Sequence, residues 1–416
     1  MRASFSNRPL RFIFAANLIS MVGSGMNSAA VAWYILKATH SEMALGTFAV
    51  LQTLPAMLML PFTGVVIDRE DRRRLVMWLD AVRAVIIVIV AVLAFRHQVK
   101  IWQLYLMNTL VAAGFWMFWP TITALIQELT PDSEFVQSNA FLLAGVQGGF
   151  LIAGAIVGFI YDHVGLGGVL TLDVSTYVFS FLCYLAVRKG RHVVIRPQEL
   201  HADIVAAEGQ FERFWREMRD GLHFLLNHKP VILLGISWAL FLGAMVTGVV
   251  VTPSLSDRVF HAGAKGYGWL NAGWGTGAFF SALYAPQMIA LVGGRRAIAF
   301  SMAILSVCMA FAPISGFLVL AILTYFVMGS GRGVGGVAMN TNLMEMVPKH
   351  LMGRVQNTFY FFGTFLQLVL AICVGTVAQK VSLVVAFAIL ASVYGLAFVA
   401  ASWPVERAVR EEMAAD

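Results

Sequence analysis

The side chains of this chain that could do chemistry are few. Asp68-Arg69-Glu70-Asp71-Arg72-Arg73-Arg74 sets seven charges in consecutive positions between two long apolar runs. Carboxylates and guanidiniums at this spacing form ion pairs. They do not form an acid–base catalyst, because no nucleophile or histidine accompanies them. Asp80 and Arg83 follow, one helical turn apart, and extend the same network. Arg332 stands alone in Gly329-Ser330-Gly331-Arg332-Gly333-Val334-Gly335-Gly336, deep inside an apolar run. A charge at such a depth costs a few kcal/mol or more in lipid and marks a functional position. The next acid downstream, Glu345, lies roughly 20 Å away along a helix axis. A partner for Arg332 must therefore come from another helix, from water or from a bound substrate. The alternative is a structural arginine, bonded to neighbouring backbone carbonyls and bracing the glycines.

The uncharged candidates lie on helical faces. Asn17, Ser20, Ser24, Asn27 and Ser28 fall within about 100° of arc on one helix. Such residues in lipid face either a cavity or a packed partner helix. Asn108, Phe115 and Trp119 share a face, with Trp116 beside it. Trp238, Phe241, Leu242 and Met245 share another, and Tyr325, Met328 and Met339 lie on the face of Arg332. Aromatic stripes serve packing by default. Cys183, Cys308 and Cys373 all fall in apolar runs, and the nine histidines are scattered. No metal-ligand spacing occurs. The glycine-rich stretch lacks the Lys-Ser/Thr of a phosphate loop. The reading is no catalytic residue, no cofactor and no metal.

The elements that hold these residues are membrane spans. Of 416 residues, 59% are hydrophobic and 12% charged, with a mean hydropathy of +0.78. Soluble domains carry roughly 25% charged residues, so lipid is the solvent. Twelve helical spans are expected near 10–36, 44–67, 76–95, 101–127, 138–160, 168–187, 230–252, 266–291, 297–315, 317–341, 355–378 and 382–402. Most have the length that crosses a core about 30 Å thick. The first run is too long for the apolar core of a signal peptide, about 7–15 residues. The fold class is all-α polytopic: two pseudo-symmetric six-helix bundles, 1–187 and 230–416, joined by a cytoplasmic linker, 188–229. Phe211, Phe214, Trp215, Met218, Leu222 and Leu225 in that linker keep helical spacing. Arg213, Arg216 and Arg219 lie between them, as in an amphipathic helix on a membrane surface.

The net charge of +7 does not imply nucleic acid. On this topology the outer loops hold only Lys37, Arg96, Lys100, Arg258, Lys265 and Lys380, while nearly all other Lys and Arg fall on the cytoplasmic side, as the positive-inside rule requires. An internal repeat supports the six-plus-six division. At an offset of 217, Glu128 and Pro131 match Glu345 and Pro348, Gly114 matches Gly331, and Gly158 matches Gly375. At an offset of 222, Arg73-Arg74 match Arg295-Arg296.

Gly64, Asp68, Arg69, Arg72 and Arg73, between the second and third spans, resemble the G-x-L-a-D-r-x-G-r-k signature of the major facilitator superfamily. Val66 stands at the Leu and Asp71 at the second Gly. The acidic variant is similar to the branch of macrolide efflux pumps and siderophore exporters. The resemblance covers nearly the whole chain. It implies that the loop is a conformational latch, carried here by Gly64, Asp68, Arg69, Arg72 and Arg73 with Asp80 and Arg83. It also implies that spans 1, 4, 7 and 10 line a substrate cavity. Candidate lining residues are then Asn17, Ser24, Asn27, Asn108, Phe115, Trp119, Trp238, Met245, Tyr325 and Arg332. The expected function is export of a medium-sized amphiphile, a drug, macrolide-like compound or siderophore, by alternating access. A lysophospholipid flippase and, from another class, a membrane-embedded receptor or enzyme are the alternatives. The expected setting is a bacterial inner membrane, as a monomer, with protons the candidate coupling ion for an antiporter. No acid lies inside spans 1, 4, 7 or 10 to bind them. The glycine run of span 5 lacks the Gly-Pro pair of antiporters, with Gly154 in its place.

If Asp68 stabilises one conformer through ion pairs, Asp68→Asn cuts transport sharply in everted vesicles while expression and folding persist. Near-normal transport would reduce the loop to setting orientation, which depends on Lys and Arg rather than on Asp.

Overall fold

A computed structural model describes residues 8–69, 71–130, 135–187, 210–245, 248–347 and 351–403. Every regular element among them is helical. In chain order they are α1 (Arg8–Thr39), α2 (Glu42–Arg69), α3 (Arg72–Phe95), α4 (Ile101–Leu129), α5 (Phe135–Ala186), α6 (Gln210–Asn227), α7 (Lys229–Met245), α8 (Gly248–Ser254), α9 (Gly263–Val292), α10 (Gly294–Phe311), α11 (Leu318–Met346), α12 (Met352–Lys380) and α13 (Leu383–Ser402). A π-helical turn, Leu255–Val259, continues α8.

Ten described helices are long and apolar enough to cross a membrane, or eleven with the bent α9 counted. The twelve expected spans fit this once α5 is seen as two crossings. At 52 residues it would reach nearly 80 Å at 1.5 Å per residue, far more than a bilayer core. Gly165, with φ 63°, breaks it into two arms. The expected loop at 161–167 is thus a one-residue hinge, possible because glycine takes positive φ without a Cβ clash. The seventh span also runs on to Val259, beyond the expected end at 252.

α3 shows how lipid inverts the usual amphipathic helix. Its buried face carries Val76, Asp80, Arg83, Ile87 and Val90, at helical spacing. Trp78, Val82, Val85 and Ile89 lie outward and exposed. In water the two charges would turn out; in lipid they turn in.

The chain forms two compact units. Unit 1 holds Met1–His40, Leu51–Phe211 and Ala262–Gly275; unit 2 holds Ser41–Val50, Glu212–His261 and Thr276–Asp416. Each unit thus takes the first turns of one helix whose remainder is grouped with the other. Glycines make those seams. In unit 1, a Cβ on Gly158 would come 2.6 Å from the Gly268 Cα. In unit 2, a Cβ on Gly375 would come 2.8 Å from the Glu42 carbonyl oxygen and 3.3 Å from the Gly46 Cα. Gly158 and Gly375 are repeat mates, and Gly46 and Gly268 are related by the same offset as Arg73 and Arg295. The repeat therefore reproduces a contact as well as a sequence. Small residues allow this approach, and in lipid close packing is the main source of helix association.

Gly158→Val forces two backbones apart and is expected to cost about 1–3 kcal/mol, read as a lower melting temperature in detergent. Gly336→Ala, with nothing within 4 Å of the new Cβ, leaves it unchanged or raises it. Equal melting temperatures for both variants would remove the seam.

Candidate functional site

The charged loop is positioned by two helix ends. α2 ends at Arg69 and α3 starts at Arg72. Asp71 caps α3, its carboxylate accepting from the Arg74 amide at 3.1 Å. That explains an acid at this point of the loop, because an acceptor here meets an orphan N–H and the positive end of the helix dipole. What Gly64, Asp68 and Arg69 touch lies outside the described residues, as does Glu70. Arg73 is placed clearly. Its Nε donates to the Tyr184 carbonyl at 2.7 Å and its Nη2 to the Leu185 carbonyl at 3.0 Å. Arg72 Nη1 donates to the Ala124 carbonyl at 3.3 Å. In unit 2, the repeat mate Arg295 donates to the carbonyls of Ala401, at 2.9 Å, and Trp403. Both arginines cap the last turn of the final helix of their repeat, where unsatisfied carbonyls attract a cation.

Asp80 and Arg83 lie buried within unit 1. Arg83 donates through Nη2 to Asp80 and through Nε to the Leu79 carbonyl at 3.2 Å. Ser180 donates to the second Asp80 oxygen at 2.6 Å. The guanidinium carbon sits 4.7 Å from the Phe118 ring centroid and 4.6 Å from that of Tyr177. Gly114 leaves the room, since a Cβ there would meet the Arg83 Cδ at 3.0 Å. The pair is a desolvated, multiply bonded charge centre.

The polar stripe of α1 meets α5 and α2. Asn17 Nδ2 donates to the Leu142 carbonyl at 3.3 Å, Ser24 and Tyr177 share a hydroxyl bond of 2.9 Å, and Asn27 Nδ2 donates to Asp173 at 2.6 Å. Gln52 donates to Ser28 at 3.1 Å. Asn17 and Ser20 are fully buried. On α4, Asn108 is buried, while Phe115 and Trp119 are partly buried against the core cluster of Ile13, Met21, Phe118 and Ile122.

In unit 2 the structure joins two residues singled out from sequence. Arg332 Nε donates to the Met245 sulfur at 3.2 Å. None of the ion pairs among the described residues involves Arg332. Thioether sulfur is a weak acceptor, so this guanidinium keeps most of its bonding capacity. Tyr394 lies close enough to act electrostatically on Arg332 and belongs to a group of aromatic rings. Trp238 stacks on Phe241 at 5.4 Å and meets Tyr360 edge-on, and Phe241 meets Tyr394 at 6.4 Å. Tyr325 shares a hydroxyl bond of 3.0 Å with Thr252. Among the described residues, the Trp238 Nε1 and the Tyr394 hydroxyl are buried without a hydrogen-bond partner. The arrangement can hold an apolar body and present donors to an acceptor.

Sequence reasoning left the partners of several polar residues unassigned. Asp173, Tyr177 and Ser180 bond to α1 and α3 as described. Glu42, fully buried, pairs with Arg258 at 3.0 Å in unit 2. Arg354 pairs with Asp220 of the amphipathic α6 at 3.1 Å. Asp173 is visible in the sequence as an acid near the outer end of its span, but its partners are not. Nothing in the sequence pairs residues 42 and 258.

A family model described as Major Facilitator Superfamily matches residues 13–368. Macrolide efflux protein A of Streptococcus pyogenes is 21% identical over 259 residues, 62% of this chain and 61% of that protein. The chain thus matches less than two thirds of that relative's length. The uncharacterized MFS-type transporter YkuC of Bacillus subtilis (strain 168) is 23% identical over 384 residues, 88% of this chain and 85% of that protein. Among solved structures, the nucleoside transporter NupG superposes with a TM-score of 0.71 at 15% identity, covering 94% of this chain and 98% of that one. A bacterial homologue of the iron transporter ferroportin, in its inward-facing state, gives 0.72 at 14%, covering 95% and 99%. At such identities the structures speak for the fold alone.

Removing one partner of the Asp80–Arg83 pair strands a buried charge. Arg83→Met is expected to cost about 3–5 kcal/mol, and adding Asp80→Leu to recover most of it. A double-mutant cycle read by thermal melting checks this; additive losses would mean that the two residues do not act as a pair.

Proposed function

This chain belongs to the Major Facilitator Superfamily and is a multi-pass membrane transporter, and we propose that it exports a medium-sized amphiphile by alternating access. The substrate is a drug, a macrolide-like compound or a siderophore, and the membrane is the bacterial inner membrane. The observation that carries the reading is Arg332. It is an intramembrane guanidinium bonded to a thioether, free of any ion pair among the described residues, and near Tyr394, one of a group of aromatic rings. A purely structural arginine in lipid meets carboxylates or carbonyls, as Arg83, Arg73 and Arg295 do. A substrate-binding one keeps its donors for the ligand.

In unit 2 the substrate contacts are Arg332, Met245, Trp238 and Tyr325. Rings and thioether take the apolar body, and Arg332 takes an anionic or carbonyl-rich group. Met is adaptable enough to accept several shapes. In unit 1 the proposed contacts are Asn108, Phe115 and Trp119 with the α1 residues Asn17, Ser24 and Asn27. Asp68 and the arginines after it hold one conformational state. The macrolide efflux relatives support the outward direction and the substrate class.

A thermal-shift screen with a macrolide, a siderophore and a lysophospholipid tests the class, because a bound ligand raises apparent stability. A macrolide or siderophore is expected to stabilise the wild type; stabilisation by lysophospholipid alone would replace the export reading with a flippase. Arg332→Gln is expected to weaken anionic ligands more than neutral ones at an unchanged melting temperature. Equal loss for both, with a lowered melting temperature, would make Arg332 a brace.

A further inference from the structure

Unit 1 buries two carboxylates and one guanidinium in the membrane interior. Asp80 and Asp173 are 0% exposed and Arg83 is 1% exposed. Arg83 pairs with Asp80, and Ser180 takes the second Asp80 oxygen. That leaves Asp173 over. One of its oxygens accepts from Asn27 at 2.6 Å. Among the described residues the other has only the Thr176 hydroxyl, at 3.5 Å, and that hydroxyl donates to the Asp173 carbonyl at 2.7 Å. No Lys or Arg forms an ion pair with Asp173 among the described residues. The Arg83 Nη1, buried, has no hydrogen-bond partner either.

Among the described residues the one cation that acts on Asp173 is Arg83, at longer range than an ion pair and already bonded to Asp80. α1 presents Gly23, Ser24 and Asn27, all uncharged. α3 presents Asp80 and Arg83, already paired with each other. α4 contributes the Phe118 ring on Arg83. On α5 itself the nearby titratable groups are Tyr177 and, a further two turns along, Tyr184, both neutral phenols. An ionised Asp173 would leave the cluster with one net negative charge in a medium that excludes ions. A protonated carboxyl leaves it neutral.

We propose that Asp173 is a proton-binding site: its carboxyl is protonated in the conformation described here and releases the proton when the α1–α5 contact opens to water. The proton is then the coupling ion, which rests on the export reading. The site lies outside spans 1, 4, 7 and 10, on the second arm of α5. It reaches them through α1. Gly23 packs so close that a Cβ there would stand 2.4 Å from the Asp173 Oδ1 and 2.0 Å from the Thr176 Oγ1. A charge appearing on Asp173 therefore faces α1 backbone directly, with Asn27 as the neutral donor that must answer it. Binding and release of the proton bias the position of α1, whose stripe holds Ser24 and Asn27.

Infrared difference spectra of the full-length protein in lipid, under buffers of stepped pH, test the proton site without a substrate. The expected result is a C=O stretching band of a buried carboxylic acid that shifts in D₂O and titrates with pH. Asp173→Asn abolishes it, and the exposed-site control Asp162→Asn keeps it. Asn27→Ala, which removes the donor while leaving the acid, moves the band to higher frequency. Absence of the band in the wild type, its survival in Asp173→Asn, or a band that responds to Na⁺ at fixed pH would overturn the proposal. Coupling is tested in proteoliposomes with erythromycin. Asp173→Asn should equilibrate erythromycin as the wild type does but lose accumulation driven by a pH gradient. Accumulation equal to the wild type would overturn coupling. A wild type that moves no macrolide counts against the export reading alone, and the infrared result stands apart from it.

Discussion

Lipid offers no hydrogen bonds, so every polar group that enters the membrane must find its partner inside the protein. That constraint explains the inward turn of Asp80 and Arg83 on α3, while Trp78, Val82, Val85 and Ile89 face out. It explains why the α1 stripe ends on Leu142, Tyr177 and Asp173. It also decides where function can hide. A polar group left with a weak partner, or a carboxyl left without a cation, is the exception that the medium does not tolerate for nothing.

Arg83 and Arg332 are the contrasting cases. Arg83 is met by a carboxylate, a carbonyl and two aromatic faces, and Gly114 clears space for it. Arg332 has a thioether. Gly114 and Gly331 are repeat mates, but they clear different neighbours: Gly114 faces Arg83, whereas Gly331 faces Ile304 of α10. One arginine is thus consumed by the structure, and the other keeps its donors.

The repeat is a physical duplication as well as a textual one. Arg73 and Arg295 cap equivalent helix ends. Gly158 with Gly268, and Gly46 with Gly375, bring equivalent backbones together. The residues that survive in both copies are those for which the geometry leaves few substitutes: a forked donor reaching two terminal carbonyls, and a residue without a Cβ where backbones touch. The charged loop itself is not duplicated, since Pro286 and Ala290 stand where Gly64 and Asp68 do. The second-copy helix α9 instead bends by 64° just before Pro286, as expected where a ring replaces an amide donor.

Composition and hydrophobic length alone determined that this is an all-helical membrane protein. Charge placement pointed to its family, because the bilayer enforces span length and leaves charge only where it is needed. Arg332 was legible for the same reason: a lone cation in an apolar run stands out whatever surrounds it. Partners were not legible. Asn27 and Asp173 are 146 positions apart, and Arg332 and Met245 are 87 apart. Periodicity gives the face a residue occupies but not the helix that meets that face. Hence the α1 stripe reads as cavity lining or as helix contact, and Asp173 only as an acid near a span end. Only tertiary packing decided that Arg83 would bond Asp80 and leave Asp173 without an ion pair among the described residues, because that depends on which helices stand side by side at one depth.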